Sequence, residues 1–459
     1  MVPGLSQAVT RRGRSGERSR LGTVVASTTL GTCLFVVVSR GAFEAVASKQ
    51  IGYAAQAVAL AVIILLGLAC GFVKRPGQRW MSAAVHLFLT VELISVAYVI
   101  FTSTTIDPWS YVLVMTLFVS LIWAYGALQF DGLARTNVMA WLAAAALVSV
   151  AVAAIQQAGL LLDVFPGNDL SSLGGTVRPA AITGSYLHYP LAVALICFAF
   201  VQAWASTRRG WYGIVALILA VAVAASFSRS GMVILAVGVL CYFLLSATLS
   251  QRMRLAFMVI LVATLAAVAF EGTPYWNRYV GGLDSGAAGN QVRITKWFTG
   301  MEYWLDSPLL TGGYTGHFTN VTGNLGGEAG GVLESGLIQQ LVSFGLVGTI
   351  AFYLLMAGVV LAVRPGHRWL RAGLIGAMLQ TLVYQSIEVV PFMVLFCLMP
   401  LVSTHLGRSR PATGESRPGV ALSQSAHRRT GQVLRAPGLP ARQPSDNQRT
   451  VSDQPWARR

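Results

Sequence analysis

QIGYAAQAVALAVIILLGLACGFVKRPGQRWMSAAVHLFLTVELISVAYVIF, residues 50–101, sets two long apolar runs on either side of the basic linker KRPGQR. An α-helix needs about 20 apolar residues to cross a hydrocarbon layer of about 30 Å. In lipid the backbone has no water to bond, so a crossing segment closes its own hydrogen bonds as a helix or joins a closed barrel. Neither run alternates with strand period, so they read as two membrane helices joined by a basic turn. Ten further segments read the same way. The twelve expected spans are 21–38, 50–73, 80–101, 110–129, 137–162, 186–204, 211–227, 231–247, 252–270, 332–362, 372–387 and 390–406. The expected fold is all-α and polytopic. A transmembrane domain covers 21–406, between a basic tail at 1–20 and a second at 407–459.

Composition supports this class. Of 459 residues, 55% are hydrophobic and 11% charged, with a mean hydropathy of +0.63. A soluble protein carries about 25% charged residues. A soluble enzyme and a nucleic-acid-binding domain are thereby excluded as the main reading. The net charge of +16 comes mostly from the ends: five Arg and one acid in residues 1–20, ten Arg and three acids in 407–459. Basic tails beside a membrane domain are the cytoplasmic signature, and their expected partner is anionic lipid, not nucleic acid. The first apolar run has no A-x-A-type site before the next span, so a retained first helix is expected.

Orientation follows from the linkers. With the N-terminus inside, the linkers at 74–79, 130–136, 205–210, 248–254 and 363–371 all face the cytoplasm and hold eleven Lys or Arg, and only seven basic residues lie outside. That asymmetry places both termini in the cytoplasm. Two outside loops are long, 163–185 and 271–331. The second contains VRITKWFTGMEYWL, residues 292–305, whose apolar residues recur at helical spacing. It reads as an amphipathic helix on the outer membrane surface with Trp at headgroup depth. The tail from 407, rich in Arg, Pro, Ser and Gln, reads as disordered. All five cysteines lie in apolar runs, without metal-ligand spacing, and read as packing residues.

Topology accounts for the inside basic residues but not for the outside ones. Arg40 and Arg278 read as surface or snorkelling residues. Arg178 stands in TVRPAAITGSYLHYP and Arg229 in the short hairpin ASFSRSGM; Arg293 opens the amphipathic helix. A charge in so short a hairpin is costly without a partner. A guanidinium at the membrane edge is always charged and matches phosphate oxygens in a bidentate way. His188 follows Arg178 closely. His86 and Glu92, both in the third span, read as polar groups of the bundle interior.

Four stretches then come in order: RPAAITGSYLHYPLA, the SFSRSG hairpin, an R-x-x-x-W segment leading to DSPLLTGGYTGHF, and ESGLIQQLVSFGLVG opening a long span. Together they resemble the O-antigen ligase and O-antigen polymerase superfamily of bacterial membrane glycosyltransferases, over residues 170–360. The resemblance implies a GT-C-like, metal-independent enzyme that needs no cofactor. Its donor would be an undecaprenyl-pyrophosphate-linked glycan on the outer face of the membrane. Arg178, Arg229 and Arg293 match the family's basic positions and would bind the pyrophosphate, with His188 lining the site. The ligases carry a His shortly before the span that begins near residue 336, as the base. Here that place holds Glu334, which is closer to the polymerase branch. His317, in GGYTGHF, is the second candidate base. The acceptor would be a glycan or a lipid, and a chain-length regulator is an expected partner.

Three functions follow as expectations. The first is polymerisation of lipid-linked repeat units. The second is ligase-like transfer of a finished glycan to a lipid or cell-wall acceptor. The third is of another class, a twelve-helix transporter or lipid-linked glycan flippase, which should show repeated halves, broken helices or ionisable groups near the midplane.

Overall fold

A computed structural model describes residues 5–408, apart from 104–105, 131–132, 134–136, 162–171, 174–175, 247, 274–275, 278–279, 281–287, 308–311 and 321–330. The helices run in the order α1 Leu5–Val38, α2 Arg40–Val46, α3 Lys49–Cys70, α4 Trp80–Thr102, α5 Trp109–Gly126, α6 Val138–Gln157, α7 His188–Thr207, α8 Gly210–Ala225, α9 Arg229–Ser246, α10 Leu249–Phe270, α11 Ala288–Asp306, α12 Gly336–Ala362, α13 Arg368–Val383 and α14 Val390–Arg408. The described strands form one two-residue antiparallel ladder, Ser172–Leu173 with Thr176–Val177, inside the 163–185 loop.

Each expected span falls on a helix, and the protein is a polytopic membrane protein by length and composition. Among the described residues, α3 to α7, α12 and α14 are long and apolar enough to cross a bilayer. α1 and α2, bent by 68° at Ser39, would make an eighth span. α8, with 16 residues, reaches about 24 Å at 1.5 Å per residue. α1 begins at Leu5, so much of the segment expected as a tail is helical. α13 begins at Arg368, four residues before the expected 372, because Trp369 is drawn into the bundle. Its ring stacks on Tyr242 at 3.5 Å and its N–H donates to Gln202. The disordered tail expected at 407–459 lies outside the described residues from 409 on.

The burial pattern shows which solvent the fold expects. α14 is the most enclosed of the long spans, followed by α7 and α12. Outward positions of the peripheral helices carry Val58, Leu65, Leu93, Phe101, Leu217 and Leu245, all well exposed. An apolar exterior of this extent marks a lipid-facing surface. Between helices in lipid the attraction comes from close packing, which favours small residues. α9 and α13 meet in this way: a Cβ on Gly376 would lie 2.7 Å from the backbone nitrogen of Gly238. Aromatic contacts hold α4 and α5 to α12, with Phe88 edge-on to Phe344 at 5.2 Å and Tyr111 stacked on it at 5.7 Å.

α12 is not continuous. At Gly345 the backbone turns to φ 64°, ψ −170°, a region open only to glycine. Two carbonyls beside the break are occupied. Val342 O accepts from the N–H groups of Gly313 and Tyr314, and Ser343 O accepts from Thr315 Oγ1 at 2.6 Å. The segment 312–315 thus closes the break from outside the helix. Gly312 is required there, since a Cβ would sit 2.5 Å from the Ser343 carbonyl carbon and its φ is +63°.

Candidate functional site

Two arginines of the sequence pattern meet on one helix. The hairpin between α8 and α9 presents Arg229, whose Nη1 donates to Asn290 Oδ1 at 2.9 Å. Arg293 is one turn further along α11, and its Nε donates to Glu334 Oε2 at 2.5 Å. Residues three apart share a helix face, so α11 carries the partner of Arg229 and Arg293 itself on one side. Lys296, the next turn on, donates to the other carboxylate oxygen of Glu334 at 3.1 Å. The Arg293 guanidinium also lies over the Tyr384 ring, 5.1 Å from its centre.

Glu334 does not cap α12. Ser335 does, accepting from the Ile338 N–H while donating to Leu382 O at 2.6 Å. This frees the Glu334 side chain to reach α11. Its backbone is left-handed, φ 57°, which a residue with a Cβ adopts at a cost. Gln385 holds that conformation by accepting the Glu334 N–H at 3.2 Å. Burial pushes the Glu334 carboxyl upward, but Arg293 and Lys296 outweigh it, and its pKa lies below the ordinary carboxylate value. For Arg293 burial acts downward, and Glu334 with Tyr384 reverses it, leaving the guanidinium above its ordinary value. Both shifts describe one half-exposed ion pair. A carboxylate so held is a weak proton acceptor until its cations are engaged elsewhere.

Gln385 ties this pair to the other candidate base. Its Nε2 donates to Phe318 O at 3.1 Å and to Glu388 Oε1 at 2.6 Å. His317, adjacent to Phe318, lies edge-on to the Phe318 ring at 4.6 Å. Glu388, buried in the turn between α13 and α14, also accepts from the Asn320 N–H at 2.9 Å and from Gln339 Nε2 on α12. The start of α12, the 312–320 segment and the 384–389 turn are therefore one polar unit.

The other sequence candidates stand on other elements. Arg178 is buried, with its guanidinium 3.7 Å from the centre of the Tyr186 ring. No shared helix links it to Arg229 and Arg293. His188 starts α7 with its Nδ1 enclosed, and lies near enough to Arg40 to feel its charge. Arg40, read from the sequence as a surface or snorkelling residue, is instead buried. It pairs with Glu44 at 3.0 Å and lies over Tyr53 at 4.6 Å. The cause is the bend at Ser39, where Gly41 lies so close to Gly184 that a Cβ would reach its Cα at 2.4 Å. That contact carries Arg40 inward.

The segment expected as an amphipathic helix is helical, as α11. Trp297, Met301 and Trp304 pack with Tyr303 and Tyr314 on Phe318, Leu333, Ile338 and Val342, against the start of α12. Val292, Phe298 and Leu305 are the exposed apolar side chains.

Lys296, Asn290, Gln339, Gln385 and Glu388 were not singled out by sequence. A signal existed for Glu388: a charge in a very short outside hairpin is as costly without a partner as Arg229 is. The adjacent Gln339 and Gln340 near the start of an apolar span were a second. Among the described residues, no three His, Cys, Asp or Glu side chains gather to hold a metal ion. No protein-family model and no curated protein matches the chain. The family resemblance rests on the four stretches named above.

Proposed function

We propose that the protein is a twelve-span extracytoplasmic glycosyltransferase that polymerises undecaprenyl-pyrophosphate-linked repeat units, with Arg229, Arg293 and Lys296 receiving the donor pyrophosphate. The observation that carries this reading is the meeting of two cations of α11, Arg293 and Lys296, with one carboxylate at the entry of α12, while the same helix holds Arg229 of α9 through Asn290. In the reaction, a hydroxyl of the acceptor loses its proton to the base and attacks the anomeric carbon with inversion. The bond from that carbon to the pyrophosphate oxygen breaks, and the electron pair leaves with the pyrophosphate. The arginines stabilise the charge that develops there. The ion pair supplies an order to these events. An arriving pyrophosphate competes with Glu334 for Arg293 and Lys296. Once released, Glu334 keeps only the effect of burial, which raises its pKa toward that of a working base. Arg178 and His188 would line the route of the same donor.

The break in α12 favours a second reading, because discontinuous helices mark secondary transporters. In those proteins the unwound carbonyls are open to ions. Here the carbonyls of Val342 and Ser343 are already taken by residues 313–315, and that weighs for the enzyme. The deciding experiment is the lipid-linked species that accumulates when the protein is removed. Single outward-facing repeat units support the polymerase. Long chains on the carrier would make it a ligase, and inward-facing units a flippase.

A further inference from the structure

At the far end of α12 from Glu334, a cavity of about 230 Å³ opens between the end of α7, the start of α13 and the end of α14. Its lining is Ser206, Arg364, Gly366, His367, Leu406 and Gly407, with no acidic residue. We propose that this cavity binds a phosphate group, as carried by an anionic phospholipid headgroup. The chemistry of the lining is that of a donor set. Gln202 Nε2 donates to Ser206 Oγ at 2.8 Å, which turns the Ser206 hydroxyl proton toward another acceptor. Ser403 Oγ accepts the Arg364 N–H at 2.9 Å and meets His367 Nδ1 at 2.8 Å. Ser403 thus holds the His367 ring at the cavity wall, where a ring N–H can donate to an anion.

Arg364 supplies the charge. No described carboxylate pairs with its guanidinium. It lies against Gly407, where a Cβ would meet its Nη1 at 1.8 Å and would displace it. A second guanidinium is near. Arg75 donates to Leu128 O at 2.6 Å and to Ala362 O at 2.7 Å. Burial first, and then the charge of Arg364, lower its pKa to about 10. Two cations that repel each other without an acid between them are relieved by a bound anion. α13 starts beside the cavity and adds the positive end of its dipole. Leu406 supplies an apolar wall, as a lipid glycerol backbone requires. The basic linkers place this end of the bundle in the cytoplasm.

The test uses the full chain in phosphatidylcholine nanodiscs with and without phosphatidylglycerol, and inorganic phosphate added to the lipid that lacks it. Thermal melting and lipid retention by native mass spectrometry are the readouts. The wild type should melt higher with phosphatidylglycerol and retain it. Arg364→Gln should weaken that retention about tenfold, the loss of one charge-assisted contact, and Ser206→Ala by less. Arg428→Gln, a charge change in the tail, should leave it unchanged. A shift produced equally by inorganic phosphate supports the site and assigns it to a soluble source. Equal melting in both lipids with no response to phosphate overturns the proposal. So does wild-type retention by Arg364→Gln, or an equal loss in Arg428→Gln.

Discussion

Glu334 is under two demands. It holds a left-handed backbone that costs about 1–2 kcal/mol for a residue with a Cβ, and its carboxylate joins α11 to the start of α12. Substitution by Gln keeps the backbone demand and removes the charge. Glu334→Gln should lower glycan transfer at least about a hundredfold while tightening donor binding, because the competitor for Arg293 is gone. Normal transfer in that variant, with loss in His317→Ala, would move the base to His317 and the activity toward a ligase. The same pair predicts a pH dependence. The folded pKa of Glu334 is depressed, so its stabilisation is full above the ordinary carboxylate pKa and is lost as pH falls through the lowered value. Hydrogen exchange across 288–306 should rise over that acid range in the wild type. In Glu334→Gln it should be raised already at neutral pH.

At the scale of elements, the broken α12 is the decisive piece. The 312–315 segment repairs the break, and the turn at 384–389 bonds to the start of α12 and to residues 318 and 320. Gly345→Ala forces a side chain into a glycine-only conformation and should cost about 1–3 kcal/mol. Gly312→Ala adds a collision with the Ser343 backbone to its left-handed φ and should cost more. Gly77→Ala is the control: φ is +77° but no atom lies within 4 Å of its Cβ, so the cost is the conformational penalty alone, about 1–2 kcal/mol. Thermal unfolding in detergent should rank the three with Gly312→Ala lowest. A Gly312→Ala protein as stable as Gly77→Ala would mean that the segment does not dock on α12.

At the scale of the whole molecule, the number of crossing helices decides which side each end of the bundle faces. Among the described residues seven or eight pass on length and apolarity, and twelve are expected from the alternation of basic linkers. α8, α9 and α13 are short, which locally thinner lipid or neighbouring helices accommodate. Reporter fusions at 170, 285 and 430 should read outside, outside and inside. An outside reading at 430 would remove the twelve-span topology, and with it the extracytoplasmic placement of Arg229 and Arg293.

The primary structure by itself determined the class of fold, because apolar run length and the position of basic residues are local quantities that lipid reads directly. It placed a helix at each expected span, though not the start of α1 at Leu5, and named Arg229, Arg293 and Glu334. It left open what each of them touches. Hydrophobic period placed Trp297 and Trp304 on one face of α11, but two apolar environments, lipid and α12, satisfy that face equally, and only packing chose between them. Arg40 was read as exposed since its burial depends on a contact between Gly41 and Gly184, 143 positions apart in the chain. The ion pair of Glu334 with Arg293 and Lys296, the unit around Glu388 and the closed break in α12 are likewise tertiary. Each joins segments tens of residues apart, and a long-range pairing leaves no periodic trace in sequence.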